Sequence, residues 1–303
     1  MWFWLSLLAL FCWSCSDLFS KIGCQDADDP FGHFKMVIAV GLVMGLHAGY
    51  EIFFCGVEIN VKVILTYLPV SLLYISSMAI GYLGLRYIEL SILSPICNSS
   101  GAIVAVLAII THGIGDASPA LSLSAVALVC LGVIGLGLAE ASEDEELRIA
   151  RQSESGRHYA KSPLAIALPL IYCLLDALGT FADSIILEKL NEDSANAAYE
   201  LTFLAVGAAA ALYVLLVRRQ KLVPKREAPK YIAALFETAG QFFYIYALAD
   251  SDHVAFSVPI VSSYCLASVL WSRIFLKEKL SLKHYFSIAV AAAGIVILGI
   301  LDM

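Results

Sequence analysis

The sequence predicts an all-α integral membrane protein of ten transmembrane helices, arranged as two inverted five-helix repeats. Three observations carry this. Apolar residues make up 60% of the 303-residue chain and charged residues only 15%, where a soluble domain has roughly a quarter charged. Apolar runs recur along the whole length, and a hydrocarbon core needs ~20 such residues per helix. The second half repeats landmarks of the first while its loops carry the opposite charge character.

The runs, bounded by charged or turn residues, are 2–21, 33–56, 62–86, 88–112, 119–139, 163–187, 196–217, 229–249, 253–275 and 281–301. The first lacks a basic leader and a small-residue cleavage site, so it is expected to remain as a helix. Lipid tolerates only helices or a closed barrel, and runs without period-two alternation exclude the barrel. Run 88–112 contains Pro95 and run 253–275 contains Pro259, which loosen their helices by removing a backbone donor. Runs 119–139 and 281–301 hold almost nothing ionisable between their end residues. Most connections are short. The exceptions are a basic stretch, 218–228, and the polar linker 140–162 with its acidic run Glu143–Glu146. The organisation expected is one five-helix repeat over 1–139, the linker over 140–162, and a second repeat over 163–303. Tyr67 and Tyr231 are assigned to the interfacial aromatic belt.

The repeat is visible as collinear matches. Ala39-Val40-Gly41 matches Ala205-Val206-Gly207, and Tyr67, Tyr82, Pro95 and Ile96 match Tyr231, Tyr246, Pro259 and Ile260 at a constant spacing of 164. Leu131-Gly132 through Gly137 match Ala293-Gly294 through Gly299 at 162. Five helices per half is an odd number, so the second half must lie upside down relative to the first. Charge sorting agrees. With the amino terminus on one side, 17 of the 19 Lys and Arg residues fall on the other, leaving only Lys62 and Lys189. By the positive-inside rule the basic side is cytoplasmic and both termini lie outside, in the plasma (inner) membrane.

The eight cysteines predict no disulfide framework. Cys12 and Cys15 form a CxxC pair inside an apolar helix, without the βαβ setting of a redox motif or further zinc ligands. No metal and no cofactor are expected. The cluster Asp26, Asp28 and Asp29 falls in a short loop on the basic side, and no matching partner is visible for it.

Ionisable groups within the membrane are costly unless they face a cavity or a partner. Helix 6 carries Asp176 and Asp183 on one face; helix 8 carries Glu237, Gln241 and Tyr244; helix 1 carries Trp13, Asp17 and Ser20. Tyr74 on helix 3, Asn98 on helix 4 and Tyr264 on helix 9 add polar or aromatic surface. Carboxylates and ring faces without a fixed Lys or Arg favour cations, because ammonium groups bind both. The substrate-binding candidates are therefore Glu237, Gln241, Asp176, Asp17, Trp13, Tyr74, Asn98, Tyr244 and Tyr264. Burial disfavours a charged carboxyl, the property of a proton-coupling site, for which the candidates are Glu237, Asp176 and Asp183.

Several segments resemble a known family. Trp13 followed by Ser20-Lys21, then Gly84-Leu85-Arg86-Tyr87-Ile88-Glu89 leading to Ser94-Pro95-Ile96, and above all Phe275-Leu276-Lys277-Glu278-Lys279-Leu280 before Gly294 are similar to EamA-type transporters of the drug/metabolite transporter superfamily. Two features depart from that pattern: the turn His112-Gly113-Ile114-Gly115-Asp116 lacks the glutamate motif of the last turn, and Ser14 stands where a glycine is usual. The resemblance covers essentially the whole chain. It implies a central cavity lined by helices 1–4 and 6–9, with helices 5 and 10 at the periphery. The function expected is secondary transport of a small polar solute by alternating access, with a cationic amine or quaternary ammonium compound as substrate. The alternatives are export of amino acids or other neutral or zwitterionic metabolites and, more remotely, a membrane-embedded lipid-modifying enzyme; no enzymatic activity is expected. The partners expected are the small-molecule substrate and the lipid bilayer, without nucleic acid, with the chain a monomer or homodimer.

Overall fold

The computed structural model describes residues 1–26, 29–87, 90–112, 119–141, 163–277 and 280–301. Most of the acidic linker, the 113–118 turn, Asp28 and Glu278 lie outside the described residues.

Among the described residues every regular element is helical. They form ten rods: α1 (Trp2–Cys24), α2 (Gly32–Cys55), α3 (Val61–Tyr87), α4 (Leu90–Asn98 and Ser100–His112), α5 (Pro119–Ala141), α6 (Pro163–Leu187), α7 (Glu192–Val217), α8 (Pro224–Leu248), α9 (Val254–Ser262 and Tyr264–Trp271) and α10 (Leu282–Leu301). The chain is a membrane protein, and seven rods are long and apolar enough to cross a bilayer. Of the other three, α5 and α10 have shorter apolar stretches. The third, α8, begins inside the stretch read as a linker: Pro224 opens it, with its fixed φ suited to a first turn, and Glu227 and Lys230 follow within the helix. That turn's charges hide a helix start from a reading based on apolar length.

Five pairings organise the rods: α1 with α8, α3 with α6, α2 with α7, α5 with α10, and α4 with α9, the last with the first part of each rod against the second part of the other. Glycines set the closest crossings. A Cβ at Gly41 would lie 2.7 Å from the Phe203 carbonyl oxygen and 3.0 Å from Gly207 Cα; one at Gly207 would lie 3.1 Å from Gly41 Cα and 3.2 Å from the Val37 oxygen. The α5–α10 crossing repeats the device, with Gly132 against Ser287 and Ala291, and Gly294 against Ala125 and Val129. Only a residue without a side chain lets two backbones approach so closely, and membrane helices rely on this packing because lipid gives them no hydrophobic drive to associate.

The rods α4 and α9 are interrupted at Ser99 and Ser263. Each break follows a proline by four residues, and the Ser99 and Ser263 amides each bond back to the carbonyls of that proline and of the residue after it. The breaks meet: a Cβ on Gly101 would be 2.2 Å from Ser262 Oγ.

A carboxylate cavity between two differently closed ends

Seven rods converge on one cavity. It is lined by Trp13, Ser16, Asp17 and Ser20 of α1, by Tyr74 through Leu85 of α3, by Ser94, Cys97 and Asn98 of α4, and by Tyr172, Asp176 and Thr180 of α6. Tyr199 of α7, Glu237, Gln241 and Tyr244 of α8, and Val258 through Tyr264 of α9 complete it. Neither α5 nor α10 reaches the cavity, as expected. Helix α2, expected among the lining helices, contributes nothing to it, because its inner face is committed to the backbone-level crossing with α7.

The structure brings together Trp13, Asp17, Tyr74, Asn98, Asp176, Glu237, Gln241, Tyr244 and Tyr264 around this space. Three carboxyl groups share it, and each is held by serine. Asp17 Oδ2 accepts from Ser94 Oγ at 2.6 Å and from Ser268 Oγ at 2.8 Å. Asp176 Oδ2 accepts from Ser100 Oγ at 2.6 Å, and Glu237 Oε2 from Ser16 Oγ at 2.7 Å. Ser94 and Ser100 flank the α4 break, which explains how one helix serves two carboxyls on different neighbours. No lysine or arginine is among the described lining residues. The spacing of Asp17 and Lys21 permits an ion pair, but Lys21 reaches the Leu85 carbonyl at 2.8 Å while Asp17 turns to the serines.

Asp183 lies one step beyond the cavity. It is fully buried and accepts from Tyr67 Oη at 2.7 Å and from Tyr74 Oη at 3.3 Å. Tyr74 Oη also meets Tyr244 Oη at 2.9 Å and Thr180 Oγ1 at 3.1 Å. This hydroxyl network closes one end of the cavity. Tyr67 is therefore no belt residue: its ring is inside the bundle because Asp183 needs a donor.

The opposite end is closed by charge. Directly beyond the lining residues Ser20 and Leu85, Lys35 Nζ lies 3.0 Å from Asp29 Oδ2 and 3.3 Å from Glu227 Oε1. Lys230 Nζ lies 2.7 Å from Glu227 Oε2 and 3.9 Å from Asp29 Oδ2. All four side chains are buried. Arg86 donates to the Asp29 carbonyl oxygen at 2.7 Å, and Arg226 pairs with Asp26 at 2.6 Å. The acidic loop thus has its partners on α2, α3 and α8. Gly23 makes room for the cluster, since a Cβ there would be 2.7 Å from Lys230 Cγ.

Sequence reasoning also passed over His47 and Glu200. Glu200 is fully buried and its carboxylate is 2.9 Å from His47 Nδ1, with Asn196 Nδ2 at 3.2 Å and Glu51 on the far side of the imidazole at 3.8 Å. The signal was available, because both lie within apolar runs. Among the described residues no group of three or more His, Cys, Asp or Glu could hold a metal ion, and the eight cysteines are free.

Comparison with known proteins bears on this architecture. Residues 163–300 match the EamA-like transporter family, so the second half carries a domain of that family. No curated protein matches the sequence. A crystal structure of a protein 13% identical to this chain superposes with a TM-score of 0.65, covering 98% of this chain and 96% of the other, which shows a common fold.

Proposed function

We propose that this chain, with an EamA-like transporter domain in its second half, is a secondary transporter that exchanges a small organic cation for protons. The observation that carries the reading is the cavity itself: Asp17, Asp176 and Glu237 share one space among aromatic rings, each accepting from serine hydroxyls, with no Lys or Arg among the described lining residues. Buried carboxyls are costly unless they bind protons, a cation or each other. A serine hydroxyl donates to a carboxylate and accepts from a carboxylic acid equally well. Each carboxyl can therefore gain or lose a proton without losing its partner, as an exchanger requires.

Alternating access between two inverted halves fits the same frame. Exchanging the halves turns the α1–α8 pairing into α6–α3 and leaves α2–α7, α4–α9 and α5–α10 unchanged. The glycine crossings are reciprocal in detail: Gly41 meets Phe203 and Gly207, while Gly207 meets Val37 and Gly41, with each residue 166 from its counterpart. In the orientation we propose, the charged cluster faces the cytoplasm and both termini face outward, as the distribution of basic residues supports.

The test is transport in proteoliposomes with an imposed pH gradient. Glu237→Gln is expected to abolish proton-driven uptake of an organic amine while the protein still purifies folded, and Asp176→Asn to weaken binding of that amine. Normal proton-driven transport by both variants would refute the reading.

A further inference from the structure

The cavity described above says more about its substrate than its charge, on the premise that it binds cations. The wall groups with no hydrogen-bond partner among the described residues include, besides the Trp13 indole N–H, Gln241 Nε2 and Tyr82 Oη. The Gln241 and Tyr82 side chains are 3% and 6% exposed, and both residues line the cavity. Each can donate a hydrogen bond. A buried donor left unsatisfied is expensive, so these two mark where an acceptor on a bound molecule fits.

The aromatic rings constrain the rest. A cage for a quaternary ammonium ion needs ring faces turned toward a common space. Here three of the rings pack on one another: the Trp13 centroid is 4.9 Å from that of Tyr244, tilted by 44°, and 5.8 Å from that of Tyr264, edge to face. Gly240 holds Trp13 in place, since a Cβ there would be 2.5 Å from the indole Cδ1. The cavity volume is about 80 Å³, the space of roughly six waters at ~10–15 Å³ each. By contrast, the serine bonds described fall on a single oxygen of each carboxyl, so the other oxygen can accept from an N–H, which a quaternary ammonium does not have. A carboxylate on the substrate would face three acidic groups, with no Lys or Arg among the described lining residues.

We propose that the cavity selects small protonated amines bearing an uncharged hydrogen-bond acceptor near the ammonium group, and discriminates against quaternary ammonium ions. The ammonium N–H groups bind the carboxyls, and the acceptor takes the bonds offered by Gln241 and Tyr82. These two residues set specificity, because a site built to hydrogen-bond an oxygen rejects an analogue without it.

The test uses the purified full chain in detergent and three cations of equal heavy-atom count: glycinamide, n-butylammonium and tetramethylammonium, with affinities read by calorimetry at a pH where both amines are protonated. Glycinamide is expected to bind at least tenfold more tightly than n-butylammonium, with tetramethylammonium weakest. Gln241→Leu should lower glycinamide affinity about tenfold while leaving n-butylammonium unchanged. Tyr82→Phe, which keeps the ring and removes only the hydroxyl, should act in the same direction and serves if the leucine variant does not fold. Equal binding of glycinamide and n-butylammonium, or an equal loss for both in Tyr82→Phe, overturns this specificity and leaves the cation reading standing. Binding of none of the three removes both.

Discussion

At the charged end of the molecule α2 and α7 meet through two rings, Phe34 and Tyr213, with centroids 5.4 Å apart. At the opposite end the same helices meet through His47 and Glu200 at 2.9 Å. In the inverted repeat we propose, these positions correspond: Phe34 and Glu200 are 166 residues apart, as are His47 and Tyr213. Between them the Gly41–Gly207 contact serves both halves alike. The larger closures of the cavity differ in the same way, four buried charges at one end and a tyrosine–threonine–aspartate network at the other. Backbone approach is common to the two ends and side-chain chemistry is not. Glycine crossings fix where helices meet, which leaves the residues flanking them free to serve different chemistry at each membrane face.

The strongest way to break this comparison is at its shared centre. Gly41→Val is expected to prevent recovery of folded protein, exceeding the ~1–3 kcal/mol of ordinary overpacking, because the obstructing Phe203 oxygen belongs to the backbone. Gly49→Val is the control, with nothing within 4 Å of its added Cβ; size-exclusion profiles and thermal unfolding of the two variants check the contrast.

Next come the two closures. Lys230→Met removes one cation from a buried cluster and leaves Asp29 and Glu227 to share Lys35, with an expected loss of about 3–5 kcal/mol. The double variant Lys230→Met with Glu227→Gln should recover part of it. At the other end Tyr67→Phe removes one donor from Asp183, for an expected loss of about 1–3 kcal/mol. Denaturation of all three under one condition ranks the ends, and a Tyr67→Phe loss larger than that of Lys230→Met would reverse the ranking.

The smallest effect is expected where the ends are made alike. His47→Tyr with Glu200→Phe copies the ring pair of the charged end into the corresponding positions. The double variant should stay folded, with stability within about 1.5 kcal/mol of the starting protein, as for core changes that preserve volume and pattern. A cooperative unfolding transition retained by the double variant and weakened in each single variant is the expected calorimetric result.

Much of this architecture was legible in the sequence, for identifiable reasons. Helices announce themselves by apolar length, and the prolines at 95 and 259 stand four residues before real breaks. Asp17, Asp176 and Glu237 were legible as cavity-facing because carboxyls inside a membrane need a wet or polar neighbour. The closure at the charged end was not. Lys35, Glu227 and Lys230 sit at helix ends and Asp29 in a loop, where charges are ordinarily hydrated, and only the folded structure brings them together beneath Gly23. Tyr67 was assigned to the belt because a tyrosine near a helix end is usually there; its partner is 116 positions away. The serines that hold the three carboxyls were equally silent, since a serine in an apolar helix more often bonds its own backbone.

The twin interruptions of α4 and α9 make each rod a pair of short levers hinged at a serine. Because Gly101 and Ser262 leave no slack where the hinges touch, the two rods form a scissor linkage: neither can bend at its joint without displacing the other. Ser94 and Ser100 sit on opposite arms of one lever, holding Asp17 and Asp176 respectively. A bend at Ser99 would therefore shift the serine partner of Asp17 relative to that of Asp176.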